Sequence, residues 1–158
     1  MAKKIKVRKF KKGDEYDVAR IIRRAIQVTN KKYYSPAVIK FLCSGASAVK
    51  ILKKSKERNY KVAVLGNKIV GVICLTENEN RIRQFFVDPL HQGKGVGREL
   101  INFIEKEAKK LKLKYLQVHS SLFAVLFYKH FGYKKIRKLI IHKNNGPKFE
   151  TILMKKAL

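Results

Sequence analysis

Cysteine is nearly absent from this sequence. Cys43 and Cys74 each sit inside an apolar segment, with no second cysteine or histidine at metal-ligand spacing, which argues for buried free thiols over a disulfide or a metal site. Long apolar runs are missing too: none reaches the roughly 18 residues needed to cross a bilayer, so no membrane span is expected. The opening Met1-Ala2-Lys3-Lys4-Ile5-Lys6-Val7 has the basic flank of a signal peptide without its apolar stretch, and its alternation reads as a strand. The expectation is a cytoplasmic chain. Linkers, internal repeats and low-complexity blocks are also lacking, which points to one domain across residues 1–158.

Acidic residues are scarce in proportion: 11 Asp and Glu stand against 38 Lys and Arg, a formal charge of +27. Such an excess favours polyanions nearby, and Lys/Arg-phosphate contacts bind nucleic acid whatever its sequence. The charges are spread along the chain and not gathered into a tail, so they serve equally well as solvated helix faces and strand edges. Nucleic acid is compatible with this composition but not required by it.

What is present is enough apolar material for a core: 46% of the residues are hydrophobic and 10% aromatic. Residues 3–10 alternate as a half-exposed strand, and Gly13-Asp14 ends it with an aspartate placed to cap a helix. Val18, Ile21, Ile22, Ala25 and Val28 then recur at helical spacing, as do Val38, Leu42, Ala46 and Val49 after Ser35-Pro36, a Ser N-cap followed by Pro at the first helical position. The period changes to two over residues 60–65, 68–75 and 82–87, joined by Gly66-Asn67 and Asn78-Glu79-Asn80, which predicts an antiparallel meander. A helix near 95–110 carries Val96, Leu100, Ile104, Ala108 and Leu111 on one side. A strand at 114–119, a short helix at 121–130 and two strands near 133–142 and 148–155 complete the chain. The order β-α-α-β-β-β-α-β-α-β-β describes a mixed α/β protein and by itself names no function.

Chemistry concentrates in Phe85-Phe86-Val87-Asp88-Pro89-Leu90-His91-Gln92-Gly93-Lys94-Gly95-Val96-Gly97-Arg98, a strand that passes through a glycine-rich turn into an amphipathic helix. Glycines let backbone approach a phosphate, and the first helical amides offer it free donors. Lys94 and Arg98 add positive charge. A P-loop needs Ser or Thr after Gly-Lys, but Gly95 follows Lys94. The dinucleotide fingerprint needs G-x-G-x-x-G beside the first strand, whereas Gly93, Gly95 and Gly97 are spaced two apart past the middle of the chain.

Gln92-x-x-Gly95-x-Gly97 after Val87-Asp88-Pro89 resembles the Q/R-x-x-G-x-G/A signature of the GNAT superfamily of N-acetyltransferases. Downstream, Ala124-Val125-Leu126-Phe127-Tyr128-Lys129-His130-Phe131-Gly132-Tyr133 is similar to that family's A-x-x-F-Y-x-x-x-G-F/Y helix. The resemblance covers roughly residues 3–155. It implies the GNAT α/β (α+β) fold, a central mixed and mostly antiparallel sheet of about seven strands flanked by four helices.

It also implies an acetyl-CoA-dependent N-acetyltransferase with no metal, acting on a primary amine by direct attack in a ternary complex, as a monomer or homodimer. Acetyl-CoA would run its pantetheine along Phe85, Phe86 and Val87 and seat its pyrophosphate on Gln92, Gly93, Lys94, Gly95, Val96, Gly97 and Arg98. An amide near Phe86 or Val87 would polarise the thioester carbonyl, although both phenylalanines also suit plain core packing. Ser120 and Ser121 stand where many relatives carry an asparagine, and with Lys129 they are further candidate contacts to the cosubstrate. Tyr128 matches the tyrosine that donates a proton to the departing thiolate, tyrosine and thiol pKa values lying within about two units of each other.

The base that accepts the amine's proton stays open among Glu79, Glu77 and His119. The acceptor stays open as well. A strongly positive surface is a poor recruiter of cationic amines, which leans toward small neutral or anionic ones, while protein N-terminal or lysine acetylation is the alternative. A non-catalytic module that senses CoA or binds nucleic acid is the rival outside enzyme chemistry.

Overall fold

The computed structural model describes residues 3–158; Met1 and Ala2, where the reading of the amino-terminal segment begins, lie outside them. Strand β1 (Ile5–Lys9) is followed by helix α1 (Glu15–Ala25), a π-helical turn (Ile26–Asn30), α2 (Pro36–Ser44) and α3 (Ala48–Ser55). The meander is β2 (Asn59–Leu65), β3 (Lys68–Thr76) and β4 (Arg81–Val87). Helix α4 (Val96–Lys110), β5 (Tyr115–Ser120), α5 (Val125–His130), β6 (Lys134–Ile141) and β7 (Phe149–Ala157) complete the order.

The seven strands form one sheet in the order β1-β2-β3-β4-β5-β7-β6. Every neighbouring pair is antiparallel except β4 and β5, which run parallel and are connected through α4. Each face buries its own core. Ile73, Leu75, Ile82, Leu116 and Met154 meet the apolar side of α4 together with Tyr128 of α5. On the other face Val62, Val72 and Cys74 meet Val18, Ile22 and Ile51 of α1 and α3. Burial of a branched side chain of this kind contributes about 1.5–3 kcal/mol, so the two apolar helix faces hold the sheet from both sides.

The local signals were obeyed unevenly. Ser35 accepts a hydrogen bond from the Val38 amide at 3.3 Å, the cap expected for α2. Asp14 stands at the N-cap of α1 without making the capping bond. Its carboxylate instead takes the Arg8 guanidinium at 2.8 and 3.1 Å and the Lys11 amide at 2.9 Å, a bidentate pairing with a cation that outcompetes single bonds to helix amides.

The second predicted helix is two. Ser47 caps α3 by accepting from the Lys50 amide at 3.2 Å, and the break at residues 45–47 turns Val49 outward, 79% exposed instead of buried. Among the described residues the sheet therefore carries five α-helices, not four. Val28 and Leu111 are also exposed, Val28 because the π-helical turn adds a residue per turn and rotates it off the apolar stripe, Leu111 because α4 has ended.

Cys74 is buried and Cys43 half-buried, both as free thiols; burial pushes both up, Cys74 to about 12.

One polar group inside the core is a candidate stability anchor. Glu105 of α4 accepts from the Tyr133 hydroxyl at 3.0 Å and from the Lys156 ammonium at 3.0 Å through both oxygens. Replacing Glu105 by Ala strands the buried Tyr133 hydroxyl and leaves the partly exposed Lys156 ammonium to water, and is expected to cost about 1–3 kcal/mol. Equilibrium urea unfolding checks this, and a change under about 0.5 kcal/mol would show that Glu105 anchors nothing.

Candidate active site

The site begins with a defect in β4. Opposite β3 the register runs Cys74 to Arg83 and then Val72 to Phe86, so two β4 residues, Gln84 and Phe85, face one on β3. Gln84 carries the strain of this bulge at φ +46°, and its side chain takes the Tyr60 hydroxyl. The bulge bends β4 away from β5. The two strands pair only at Arg81 with Gln117 and Ile82 with Val118, and beyond that point the β5 side of β4 has no strand partner among the described residues.

The gap opens into a cavity of about 500 Å³ with Phe85, Phe86 and Val87 on one wall and Ser121, Ala124 and Tyr128 on the other. An unpaired strand edge offers main-chain donors and acceptors to an extended amide-containing ligand.

The turn after β4 closes one end of the cavity. Asp88 is buried; its amide donates to Val70 O at 2.8 Å, and its carboxylate accepts from the Leu90 amide at 3.1 Å. Arg24 of α1 approaches the same carboxylate at 3.4 Å, tying the turn to the opposite face of the sheet. Gly93 at φ +76° and Gly95 at φ +85° adopt the left-handed region, and Gly95 is the N-cap of α4 with no side-chain cap. The first amides of α4 therefore have no capping side chain and are free to donate into the cavity. Gly97 serves space: a Cβ there would stand 3.0 Å from the Phe127 ring. Gln92, Gly93, Gly95, Val96, Gly97 and Arg98 all line the cavity, whereas Lys94 is exposed and off its wall.

Tyr128 is buried among the rings of Phe85, Phe127 and Tyr133, at centroid distances of 6.1, 5.5 and 5.5 Å. Among the described residues its hydroxyl has no hydrogen-bond partner, and burial pushes its pKa well above the ordinary phenol value. Ser121 reaches the cavity and accepts from the Ala124 amide at 3.3 Å. Ser120 is buried beside it, donating to Ser121 O at 2.8 Å, and Lys129 is exposed; neither lies on the cavity wall.

None of the three candidate bases lines the cavity. Glu77 borders a separate shallow pocket with Glu57, Asn59, Leu75 and Asn78. The Glu79 carboxylate is bonded by Arg83, which holds it below the usual carboxylate range, with Arg81 3.9 Å away. His119, at the end of β5, is pushed down to about 4 by burial first and then by Arg81, Arg83 and Lys143.

Several cavity residues carry no sequence signal. Thr29 and Asn30 arrive there through the π-helical turn, which a regular helical period would have run straight past. His91, Phe123 and His130 line the cavity from the turn after β4 and from the segment around α5. Ala124 and Phe127 were in plain view, as fixed positions of the motif that holds Tyr128. Tyr34 braces this region, its hydroxyl accepting from the Leu122 amide at 3.1 Å and donating to Glu150 O at 2.6 Å.

A family model described as an acetyltransferase (GNAT) domain matches residues 31–155. The chain is 26% identical over 134 residues to the uncharacterized N-acetyltransferase YafP of Escherichia coli (strain K12), covering 85% of this chain and 84% of that protein. Its fold is similar to that of a GCN5-related N-acetyltransferase from Rhodopseudomonas palustris, with a TM-score of 0.92 at 22% identity over 100% of this chain and 98% of the other. It is also similar to the PaiA N-acetyltransferase of Thermoplasma acidophilum, solved in complex with coenzyme A, with a TM-score of 0.79 at 19% identity over 98% and 99% of the two chains. The chain belongs to the GNAT family of acetyl-CoA-dependent N-acetyltransferases. No helix among the described residues is long and apolar enough to cross a membrane.

Proposed function

We propose that the protein moves an acetyl group from acetyl-CoA to a primary amine by direct attack in a ternary complex, with the pyrophosphate on the turn from Gln92 to Gly97 and the pantetheine in the cleft between β4 and β5. The observation that carries this reading is the parting of β4 from β5 after Ile82, beside a helix N-terminus capped only by Gly95. The fit is chemical as well as spatial. A thioester arm carrying amides needs an unpaired strand edge, and a pyrophosphate needs free amides and a cation, here those of α4 and Arg98.

In this reading the amide of Val87 donates to the thioester carbonyl as negative charge develops on its oxygen, because alternation from the Asp88 amide, which bonds Val70 O, turns the Phe86 amide toward β3. Tyr128 gives its proton to the departing sulfur. Burial raises the tyrosine away from an ordinary thiol, but the same dry cavity raises the proton affinity of a departing thiolate, which narrows the gap again.

A lowered Glu79 stays ionised and a lowered His119 stays neutral, so neither of these two candidate bases changes charge between roughly pH 6 and 9, and a raised Tyr128 stays protonated there. With neither base titrating in that window, the amine enters as its free base, unless replacing His91 or His130 on the cavity wall alters the pH profile. The expected kcat/KM then rises about tenfold per pH unit until the acceptor amine's own pKa. An inflection near pH 6.5 that His119→Gln removes would instead make His119 the base.

The activity itself is tested by colorimetric release of free CoA thiol from acetyl-CoA across a panel of primary amines. Release is expected only with an amine present; release at the same rate without one would count against amine acetylation.

A further inference from the structure

Strand alternation puts Arg81 and Arg83 on the sheet face opposite Ile82, whose side chain is buried in the core beneath α4. The last β4–β5 pairs are Arg81 with Gln117 and Ile82 with Val118, so Arg83 and His119 stand level with each other where the strands begin to part. The cavity wall continues from there as Phe85 and Phe86. Lys143, from the connection between β6 and β7, lies near enough that Arg81 and Arg83 act on both it and His119, and Arg58 adds its charge ahead of β2.

Facing Arg58, Arg81, Arg83 and Lys143 is Glu79 as the carboxylate, bonded to Arg83 and 3.9 Å from Arg81. The Nε of Arg81 and the Nε of Arg83 are each buried and have no hydrogen-bond partner among the described residues. Burial and the neighbouring Arg83 and Arg58 lower even the Arg81 guanidinium, to about 10. Positive charge is concentrated here at a cost, because half-buried cations with unmet donors are unfavourable unless a further anion joins them. Planar guanidinium groups match carboxylate and phosphate oxygens in bidentate fashion.

Resting on the acetyl-transfer reading above, we propose that this cluster is the acceptor subsite and that the acceptor is a small primary amine bearing an oxoanion, carboxylate or phosphate. The anion sits on Arg81, Arg83 and Lys143, and the nitrogen reaches past them toward the strand edge at Phe85 and Phe86.

The test compares matched acceptors in the thiol-release assay: amino acids against their primary amides, and phosphoethanolamine against ethanolamine, each kcat/KM expressed per neutral amine. The anionic member of a pair is expected to lead by about tenfold or more, the worth of a hydrogen bond to a charged group. Which pair shows the larger lead separates carboxylate from phosphate. Arg83→Gln is expected to erase the lead by raising KM for the anionic acceptor while leaving the neutral twin nearly unmoved, a split that a merely structural role would not produce. The exposed Lys143→Gln gives the same readout with the strands untouched.

Equal or better use of neutral amines, or of a lysine-rich peptide, would overturn the anionic subsite while leaving amine acetylation standing. Selectivity that survives in both variants would overturn it too. Turnover of no amine in the panel would overturn the acetyl-transfer reading and this subsite with it.

Discussion

Gly95→Asp is expected to abolish acetyl-CoA binding while the protein stays folded. Gly95 lies at φ +85°, where a side chain costs about 1–2 kcal/mol, but a Cβ there meets nothing within 4 Å, so packing does not resist it. Aspartate visits the left-handed region more readily than most residues, which limits that strain. Its side chain sets a carboxylate where the pyrophosphate would lie. Two like charges about 4 Å apart at an effective dielectric of 20 repel by about 4 kcal/mol. Calorimetry should therefore find an affinity lower by at least about 100-fold. Gly95→Asn has the same size and strain without the charge and should lose much less. Normal affinity in the aspartate variant would refute the phosphate cradle.

Tyr128→Phe is expected to slow acetyl transfer about 100-fold with acetyl-CoA affinity nearly unchanged. The variant isolates the hydroxyl well. Phe85, Phe127 and Tyr133 pack against the ring, which the substitution retains, and the hydroxyl has no protein partner among the described residues to be left unsatisfied. Thermal stability should stay where it is, so a loss of rate cannot be blamed on unfolding. Steady-state turnover equal to that of the unmodified protein would end the role of Tyr128 as proton donor.

The elements that the sequence made legible are those whose cause is local. The strand-turn-helix from Phe85 to Arg98 could be read because Gly93 and Gly95 must supply positive φ and because the apolar stripe from Val96 to Ala108 follows a helical period. The Tyr128 motif was legible for a similar reason, as a short helix whose residues are close in sequence. Where the structure departs from that pattern, a contact or turn outside the regular helical period intervened. Val28 was expected inside, but the π-helical turn brings Asn30 in and turns Val28 out. Asp14 was expected to cap α1, and Arg8 on the adjoining strand took its carboxylate.

Periodicity, turn chemistry and motif spacing thus determined the succession of strands, the family and the place of the glycine-rich turn, since each depends on residues within a few positions of one another. The tertiary structure alone decided that β4 bulges at Gln84 and leaves β5 after Ile82, which turns a strand edge into a cleft. It alone brought Arg81, Arg83, His119 and Lys143 from three separate segments to the mouth of that cleft. Contacts of that kind are created by the packing of a whole sheet and its helices, and no local pattern of residues encodes them.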